Sequence, residues 1–522
     1  MYDTIDVQSL IHQLNTIRNA LLTAERKYTP LIRKVQPHYV ESARNLVHYL
    51  ALRTFDLRQI QWQLSSLGLS SIGHSERYTL INLQNILYLL QLLGGENRED
   101  IQTTGTSFSL DHPKSKKRLD ENTVQIFGPE RFSGHTRIMV TLPSEAVEDY
   151  ELIRDLVQTG MAVARINCAH DDPEAWRKMI GHLDRARRET GNTCLLYMDL
   201  EGPKLRTGAL PNRISRKGKE KRGFILLRKG DLLHLVREGS PGAFPEFDPD
   251  GLLLLPGKIS VTLPSIFDDV QIDQPIWFDD GKIGGTIESV QPDLIEVRIT
   301  AASDEGSRLY AEKGINLPAT HLRLPALSDE DIQNLELIVQ HADMVGYSFV
   351  RTPDDVKLLQ RELKRLGRED IGIILKIETQ ETFENLPLLL LTAMRSPKVG
   401  AMIARGDLAV ELGFLRIAEV QEQILWLCEA AHVPTIWATQ ILENLVKTGL
   451  ATRAEISDAV LSVRAECAML NKGPHILDAV KMLVEIDQRM ALHQWKKQSA
   501  LRPLNVAKLF FSPLRSVQDT AD

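Results

Sequence analysis

The feature that most constrains the fold is a series of eight short apolar runs beginning at residue 137. Most neighbouring runs are separated by a segment with the apolar period of a helix. The runs are 137–141, 162–166, 194–198, 344–348, 372–376, 400–404, 435–438 and 467–470. Eight alternating strand and helix units are typical of a parallel barrel, so we predict an α/β fold of the (β/α)8, or TIM barrel, type.

One interval breaks this alternation. The third and fourth runs are separated by about 145 residues, far more than a βα connection needs. Five strand-like runs with intervening Gly, Pro and Asp lie inside it: DLLHLV, ISVTL, PIWF, GGTIESV and LIEVRIT. We predict a small inserted β-barrel domain over 208–313 that forms a lid. The (β/α)8 barrel itself would be formed by 134–207 and 314–490.

The N-terminal part has a different pattern. Apolar residues recur at helical spacing from Val7 to Leu21 and from Val40 to Leu64, and Gly94 and Gly95 would end a third periodic segment. The next segment is polar and has no period. We predict three further parts of the chain: an N-terminal helical region (1–95), a linker (96–133) and a basic, loosely ordered C-terminal tail (491–522).

Composition excludes several classes of protein. The chain has 522 residues, 43% of them hydrophobic and 25% charged, with a formal net charge of -7. This is typical of a globular protein, and the slight acidity argues against a nucleic-acid partner. The four cysteines form no CxxC pair, which argues against a disulfide framework or zinc site. With no export signal and no apolar span of ~20 residues, we expect a cytoplasmic protein without a membrane partner.

Charged and polar residues follow the predicted strands, where the active sites of such barrels lie. The residues at these ends are Arg165, Asn167, His170, Asp199, Lys204, Arg206, Ser348, Lys376, Glu378, Gly406, Asp407 and Thr439. Because the carboxyl ends of all eight strands meet at one rim, we predict that these side chains converge on one site.

The residue types at this rim favour phosphoryl chemistry. Glu378 and Asp407 follow adjacent strands, and Mg²⁺ is typically held by one or two carboxylates. Arg165, Arg206 and Lys376 supply positive charge for a phosphoryl group. No P-loop, GxSxG or HExxH motif is present in the sequence. The rim therefore fits binding of a small phosphorylated acid.

At these residues the sequence resembles the pyruvate kinase family. The matching segments are MAVARINCAH (161–170), MDLEGPKLRTG (198–208), WFDDGKI (277–283), KGINLPATHLRLPALSDED (313–331), SFVR (348–351), ILKIET (374–379), MIARGDLAVE (402–411) and WATQILENLVKTGLATRAE (437–455). The resemblance implies a (β/α)8 barrel with a β-domain after strand three. It also implies Mg²⁺-dependent transfer of the phosphoryl group of phosphoenolpyruvate to ADP, giving pyruvate and ATP.

The resemblance also implies roles for individual residues. Arg165 and Lys376 would contact the transferred phosphoryl group, and Lys376 would stabilise the enolate. Glu378 and Asp407 would hold Mg²⁺, or Mn²⁺ in its place. Thr439 would help to pass a proton to the enolate carbon. The substrate-binding set would be Arg165, Lys376, Gly406, Asp407, Thr439 and Ser348. The nucleotide-binding set would be Asn167, His170, Arg206, Pro143 and Lys313.

The monovalent-cation site of the family differs here. Potassium-dependent members have a loop resembling DTKGPEIRTG, whereas this chain has Leu200 in place of the Thr and Lys204 in place of the Glu. Ala169 also replaces a Ser of the family pattern. The site, or its substitute, would consist of Asn167, Asp199 and Lys204. Losing two oxygen ligands and gaining an ammonium group predicts that K⁺ is not required.

Other departures leave alternatives open. The TIGPAS loop is one residue short at Thr141 to Glu145, and NKGP at 471–474 replaces the SGETA stretch. The family's C-terminal α/β domain has no counterpart, so we expect neither its sugar-phosphate effector control nor the usual tetramer built on it. Homo-oligomers through another surface stay compatible with the sequence. The alternative functions are a catalytically weak regulatory or scaffold protein and another Mg²⁺-enolate enzyme acting on phosphoenolpyruvate or oxaloacetate.

Overall fold

The N-terminal region is helical. The computed structural model describes residues 5–69, 72–99, 101, 110–132, 136–214, 220–250, 252–491 and 503–512. Its first helices are α1 Val7–Ile32, α2 Val40–Leu52, α3 Arg58–Ser66, α4 Thr79–Leu93 and α5 His112–Phe127. The carboxylate of Asp6 caps α1 by accepting a hydrogen bond from the Ser9 backbone N–H. The single helix predicted from Val40 to Leu64 is two helices, because the chain turns between Leu52 and Arg58.

The predicted linker over 96–133 contains α5, so that part of the interpretation was wrong. Asp111 caps this helix through the Lys114 N–H, and a proline occupies its first turn. The helix is mostly polar and buries only a few apolar residues. Ile126 and Phe127 pack with Met139 and Met402 inside the barrel. Since a narrow buried face gives a weak periodic signal, the polar composition concealed the helix.

Three strands and two helices form the first part of the barrel. They are β1 Arg137–Thr141, α6 Tyr150–Thr159, β2 Met161–Asn167, α7 Pro173–Thr190 and β3 Leu195–Asp199. The inserted domain then follows. Its elements are β4 Arg213–Ile214, β5 Glu220–Lys221, β6 Ile225–Leu227, β7 Leu232–Val236, β8 Glu246–Phe247, β9 Leu253–Leu255, β10 Gly257–Ser260, α8 Ile266–Asp269, β11 Pro275–Phe278, β12 Ile283–Gln291, β13 Leu294–Ala301, β14 Ser307–Leu309 and β15 Ile315–Asn316.

The remaining elements complete the barrel. They are α9 Asp329–His341, β16 Met344–Tyr347, α10 Pro353–Arg365, β17 Gly372–Ile377, α11 Gln380–Ala393, β18 Val399–Ala404, α12 Arg405–Leu412, α13 Phe414–Ala430, β19 Thr435–Ala438, α14 Glu443–Thr448, α15 Arg453–Ser462, β20 Cys467–Leu470, α16 Ile476–Ala491 and α17 Asn505–Phe511.

Eight parallel strands close into a barrel in the order β1-β2-β3-β16-β17-β18-β19-β20. This confirms the predicted (β/α)8 fold. The register aligns Asn167 of β2 with Asp199 of β3, and Lys376 of β17 with Met402 of β18. The strands that supply the predicted site residues are therefore neighbours, and their carboxyl ends share one rim.

The inserted domain has its own core around a six-stranded sheet, in the order β10-β7-β13-β12-β11-β15. The sheet includes β15, so it extends three residues beyond the predicted limit at 313. Two antiparallel segments connect the domain to the barrel, and a bridge joins Arg206 to Gly314 between them. These paired connections bring the domain close to the rim.

The C-terminal tail contains α17, so the prediction of a loosely ordered segment was wrong for these residues. The Tyr28 hydroxyl on α1 donates a hydrogen bond of 2.7 Å to the Phe510 carbonyl. The two rings stack with their centroids 4.5 Å apart. Helix α17 therefore packs against the N-terminal helices.

The N-terminal helices dock where barrel strands begin. Gln36 donates to the Arg395 carbonyl at 2.8 Å, and Asn122 donates to the His432 carbonyl at 2.6 Å. Both acceptors lie just before a barrel strand, at the end opposite the predicted site. Among the residues described, no helix is long and apolar enough to span a bilayer.

Candidate active site

Five polar side chains form one buried cluster at the carboxyl ends of β2, β3, β16 and β17. They are Arg165, Asp199, Ser348, Lys376 and Glu378, and none is more than 8% exposed. A buried charge is costly unless other charges compensate it, so such a group must be internally paired. The sequence predicted that all five would converge, and the structure brings them together.

Lys376 lies at the centre of the cluster. Its Nζ is 3.0 Å from Glu378 Oε1 and 3.3 Å from Asp199 Oδ2, and it donates a hydrogen bond of 2.7 Å to Ser348 Oγ. The Ser348 hydroxyl in turn donates to the Leu200 carbonyl at 2.6 Å. Burial acts to lower the pKa of Lys376, but the two carboxylates outweigh burial and raise it. The ammonium group is therefore held in its charged form.

Arg165 is fixed beside the same carboxylate. Its Nη2 and Nε lie 2.5 Å and 3.1 Å from Asp199 Oδ2, and its Nη1 donates to Thr141 Oγ1 at 2.9 Å. The Tyr197 hydroxyl donates to Asp199 Oδ1 at 2.8 Å. Burial acts to raise the pKa of Asp199, but Lys376 and Arg165 outweigh it and lower it. Asp199 is therefore a fixed anion between two cations.

The close approach of these groups requires a glycine on the neighbouring strand. A Cβ atom on Gly346 would lie 1.9 Å from the Tyr197 hydroxyl and 2.3 Å from Asp199 Oδ1. Any larger residue would displace the Asp199 carboxylate.

Glu378 differs from Asp199 in its electrostatic balance. Its Oε2 accepts a hydrogen bond of 2.7 Å from the Phe349 backbone N–H. Burial raises the pKa of Glu378, and the negative charge of Asp407 adds to the rise despite the opposing effect of Lys376. Two carboxylates close enough to repel each other would be stabilised by a cation between them.

Asp407 is paired with the residue that departs from the family loop. Lys204 Nζ lies 2.9 Å from Asp407 Oδ1. The adjacent Gly406 lies in the first turn of α12, and a Cβ atom there would be 3.8 Å from Thr439 Oγ1. The Thr439 hydroxyl is buried and has no hydrogen-bond partner within the described chain. An unpartnered buried hydroxyl beside a helix start is available to a ligand.

These groups fit a divalent cation of the Mg²⁺ type. Glu378 and Asp407 offer carboxylate oxygens, the donors that Mg²⁺ prefers, and Mg²⁺ commonly takes only one or two of them. No group of three or more His, Cys, Asp or Glu side chains able to hold a metal occurs among the described residues. Glu378 and Asp407 supply oxygen donors, whereas structural zinc sites are built mainly from Cys and His.

The predicted nucleotide-binding residues lie around the rim. Pro143 and His170 lie in the connections after β1 and β2, and Asn167 is the last residue of β2. Arg206 and Lys313 lie in the two connections to the inserted domain, where Arg206 Nη2 is 3.0 Å from Glu201 Oε1 and Lys313 Nζ is 2.9 Å from Asp279 Oδ1. These two side chains thus contact carboxylates near the inserted domain rather than the buried cluster.

The imidazole of His170 is biased towards its neutral form. Burial lowers its pKa, and the positive charges of Lys472 and Arg206 lower it further. Its backbone is held by the Trp176 indole, which donates to the His170 carbonyl at 2.9 Å.

Sequence reasoning missed Tyr197, Thr141 and Asp458. Tyr197 is two residues before Asp199 on one strand, so the alternation of side chains could have placed both on the same face. Thr141 ends β1 as the other polar residues end their strands. Asp458 lies on α15, and its contact with Arg405 across 53 positions gave no local signal.

Comparison with known proteins gives a consistent picture. A model of the family "Pyruvate kinase, barrel domain" matches residues 133–473. The chain is 31% identical over 361 residues to a pyruvate kinase of Bacillus licheniformis, covering 68% of this chain and 57% of that protein. It is 29% identical over 391 residues to one of Dictyostelium discoideum, covering 72% and 71%.

A solved structure is also similar. The crystal structure of a pyruvate kinase from Cryptosporidium parvum matches with a TM-score of 0.59 and 25% identity, covering 71% of this chain and 70% of that one. The alignment with the Bacillus protein thus spans less than two thirds of that relative's length.

Proposed function

This chain belongs to the pyruvate kinase family, and we propose that it transfers the phosphoryl group of phosphoenolpyruvate to ADP, giving pyruvate and ATP. The observation that carries the proposal is the buried cluster of Arg165, Asp199, Lys376 and Glu378 beside Asp407. Such an arrangement of fixed charges suits stabilisation of a transferring phosphoryl group, where positioning and electrostatics do most of the catalysis.

Arg165 and Lys376 would bind the transferred phosphoryl group. Both cations are anchored on Asp199, so they need not reorganise when charge moves during the reaction. Lys376 would also face the enolate oxygen that develops as the phosphoryl group leaves. The raised pKa of its ammonium group keeps that positive charge in place.

Glu378 and Asp407 would hold Mg²⁺, or Mn²⁺ in its place. When bound, the cation neutralises charge on substrate oxygens. Glu378 is oriented for this by the Phe349 N–H. Its repulsion from Asp407 supports the assignment, because a cation would relieve it.

Thr439 and the start of α12 would bind the carboxylate end of the substrate. The N–H groups of Gly406 and Asp407 lie in the first turn of α12, where an anion is favoured. The unpartnered Thr439 hydroxyl would help to pass a proton to the enolate carbon through water, because a Thr hydroxyl alone is a poor acid. Ser348 would act by holding Lys376.

The nucleotide would lie between the barrel rim and the inserted domain. Pro143, Asn167, His170, Arg206 and Lys313 are the residues we assign to it. Movement of the inserted domain on its paired connections would exclude water from the transfer.

We propose that activity does not require K⁺. Lys204 supplies an ammonium group 2.9 Å from Asp407, and Leu200 offers no hydroxyl for a cation. Asn167 and Asp199 are the other members of this site or its substitute. Asp199 is already surrounded by Arg165, Lys376 and the Tyr197 hydroxyl, which supports a site that needs no further cation.

The proposal predicts ATP formation when purified protein is given phosphoenolpyruvate, ADP and Mg²⁺ in sodium or Tris buffer. Lys376→Met should reduce kcat by roughly a hundredfold or more, because it removes a preorganised charge. Lys178→Met, at a half-exposed position on α7, is the matched control and should keep full activity.

Two results would contradict parts of this account. Large stimulation by added K⁺ would refute the potassium proposal alone. Wild-type protein that binds Mg²⁺ but forms no ATP would refute the kinase proposal and favour a scaffold. We further propose a cytoplasmic location, which suits the four free cysteines.

A further inference from the structure

The connection after β19 has an unusual backbone. Thr439, Gln440 and Leu442 have φ angles of +66°, +58° and +49°. Residues other than Gly rarely adopt positive φ angles, and for a β-branched residue such as Thr439 a positive φ is a true outlier. A conformation of this kind persists only where surrounding groups enforce it.

The side chain of Arg405 binds the backbone of this connection. Its Nε donates a hydrogen bond of 3.0 Å to the Ala438 carbonyl, and its Nη2 donates to the Thr439 carbonyl. The guanidinium carbon also lies 4.8 Å from the centre of the Trp437 ring. One planar group thus fixes the carbonyls of two successive residues at the end of β19.

Arg405 is itself held by α15. Its Nη1 and Nη2 lie 2.5 Å and 2.9 Å from the two carboxylate oxygens of Asp458. This paired geometry sets the plane of the guanidinium. Helix α15 makes a second contact with the segment that follows β19, because Glu455 accepts a hydrogen bond from the Asn444 backbone N–H.

The consequence lies at Thr439. Its buried hydroxyl has no partner among the described residues, and it lies close to Gly406 at the start of α12. If the backbone of Thr439 relaxed to a negative φ, its side chain would leave this position. The hydrogen bonds of Arg405 to the Ala438 and Thr439 carbonyls lie directly at the backbone that positions this hydroxyl.

We propose that Arg405 and Asp458 are positioning residues that hold Thr439 in its left-handed conformation, so that its hydroxyl faces the substrate. The role of Thr439 towards the substrate rests on the proposed function. That Arg405 and Asp458 hold the Thr439 backbone does not depend on it. Neither residue would contact the substrate itself.

The test uses two variants and a matched control. Arg405→Lys keeps the charge but loses the planar fork, and Asp458→Asn weakens the hold on the guanidinium. Arg464→Lys is the control, because Arg464 makes a similar paired contact with Glu422. The two pairs are buried to the same extent: the side chains of Arg464 and Glu422 are 13% and 26% exposed, and those of Arg405 and Asp458 are 11% and 26% exposed. Arg464 precedes β20 and therefore lies at the opposite end of the barrel.

We expect kcat to fall about a hundredfold in both variants, since small displacements of a reacting group have effects of that size. The KM for ADP should change less than about twofold, because the nucleotide residues lie elsewhere. Exchange of the pyruvate methyl protons with deuterated water should fall with kcat, because Thr439 serves proton delivery. The control should keep kcat and exchange.

Crystal structures of wild type and Asp458→Asn separate this inference from the proposed function. We expect φ of Thr439 to become negative in the variant and its hydroxyl to move. An unchanged Thr439 would overturn the inference, as would an unchanged kcat or an equal loss in Arg464→Lys. If wild type forms no ATP, the proposed function fails, while the crystal structures still decide whether Arg405 and Asp458 hold Thr439.

Discussion

Asp199 and Glu378 are similarly buried, which acts to raise the pKa of both carboxyl groups, but their charged neighbours make the net shifts opposite. Both are at most 3% exposed, but Asp199 lies between Lys376 and Arg165, and its pKa falls. Glu378 has Lys376 on one side and Asp407 nearby, and its pKa rises. Glu378 thus has less compensating positive charge around it than Asp199. A bound metal cation would supply that charge, and this is why we assign Glu378 rather than Asp199 to the metal.

Glu411 allows a test of such effects outside the catalytic cluster. Asn316 donates a hydrogen bond of 3.1 Å to its Oε1, and burial raises the pKa of Glu411 to about 7. Because the folded protein binds this proton more tightly than the unfolded chain, the free energy of unfolding falls as pH rises from about 4.5 to about 7. Glu411→Gln removes the titrating carboxyl and with it this pH-dependent fall in the free energy of unfolding.

We therefore expect Glu411→Gln to gain roughly 2 to 3 kcal/mol relative to wild type between pH 5 and pH 8 in metal-free buffer. Urea unfolding at the two pH values measures the difference. Glu485→Gln, at an exposed position of α16, should show no such trend. A pH-independent difference between Glu411→Gln and wild type would show that Glu411 titrates normally.

The residues of the site were predictable to the extent that they follow strands. Lys376, Glu378 and Asp199 were found because the fold gathers strand ends. Contacts between the segments that follow neighbouring strands, such as that of Arg405 with Asp458, depend on strand register and helix placement, which the spacing of residues along the sequence does not reveal.

At the scale of elements, strong apolar periodicity predicted the barrel well. The runs 435–438 and 467–470 match β19 and β20. Helices with narrow buried faces were missed. α5 is polar apart from a few residues, and α17 has only seven residues, too few for a period to emerge.

His432 tests how the N-terminal helices are attached. The imidazole is fully buried between the Ser42 hydroxyl, 3.1 Å from Nδ1, and the Arg77 carbonyl, 3.0 Å from Nε2. A neutral ring donating from Nε2 and accepting at Nδ1 satisfies both contacts. Burial lowers the pKa of His432 to about 3, so the folded protein resists protonation that the unfolded chain accepts.

Stability should therefore fall as pH drops below about 6.5. Between pH 7 and pH 5 we expect wild type to lose about 2 kcal/mol relative to His432→Gln. Denaturation midpoints at the two pH values provide the measurement, with His341→Gln at an exposed site as the control. Equal acid sensitivity of wild type and His432→Gln would mean that this contact does not hold a neutral ring.

At the scale of the whole molecule, two additions lie at opposite ends of one barrel. The inserted domain joins at the rim where strands end, while the N-terminal helices contact residues just before β18 and β19. The sequence predicted both regions from composition and period. It did not predict the docking of the helices, because complementary surfaces are set by tertiary packing rather than by local pattern.

The central claim is that Glu378 and Asp407 jointly hold a divalent cation beside Lys376. Titration with Mn²⁺ in the presence of phosphoenolpyruvate, followed by electron paramagnetic resonance, tests it without requiring turnover. We predict one tight site in wild type and in Glu485→Gln, and affinity weakened at least about tenfold in Glu378→Gln. Equal Mn²⁺ affinity in Glu378→Gln and wild type would contradict the account.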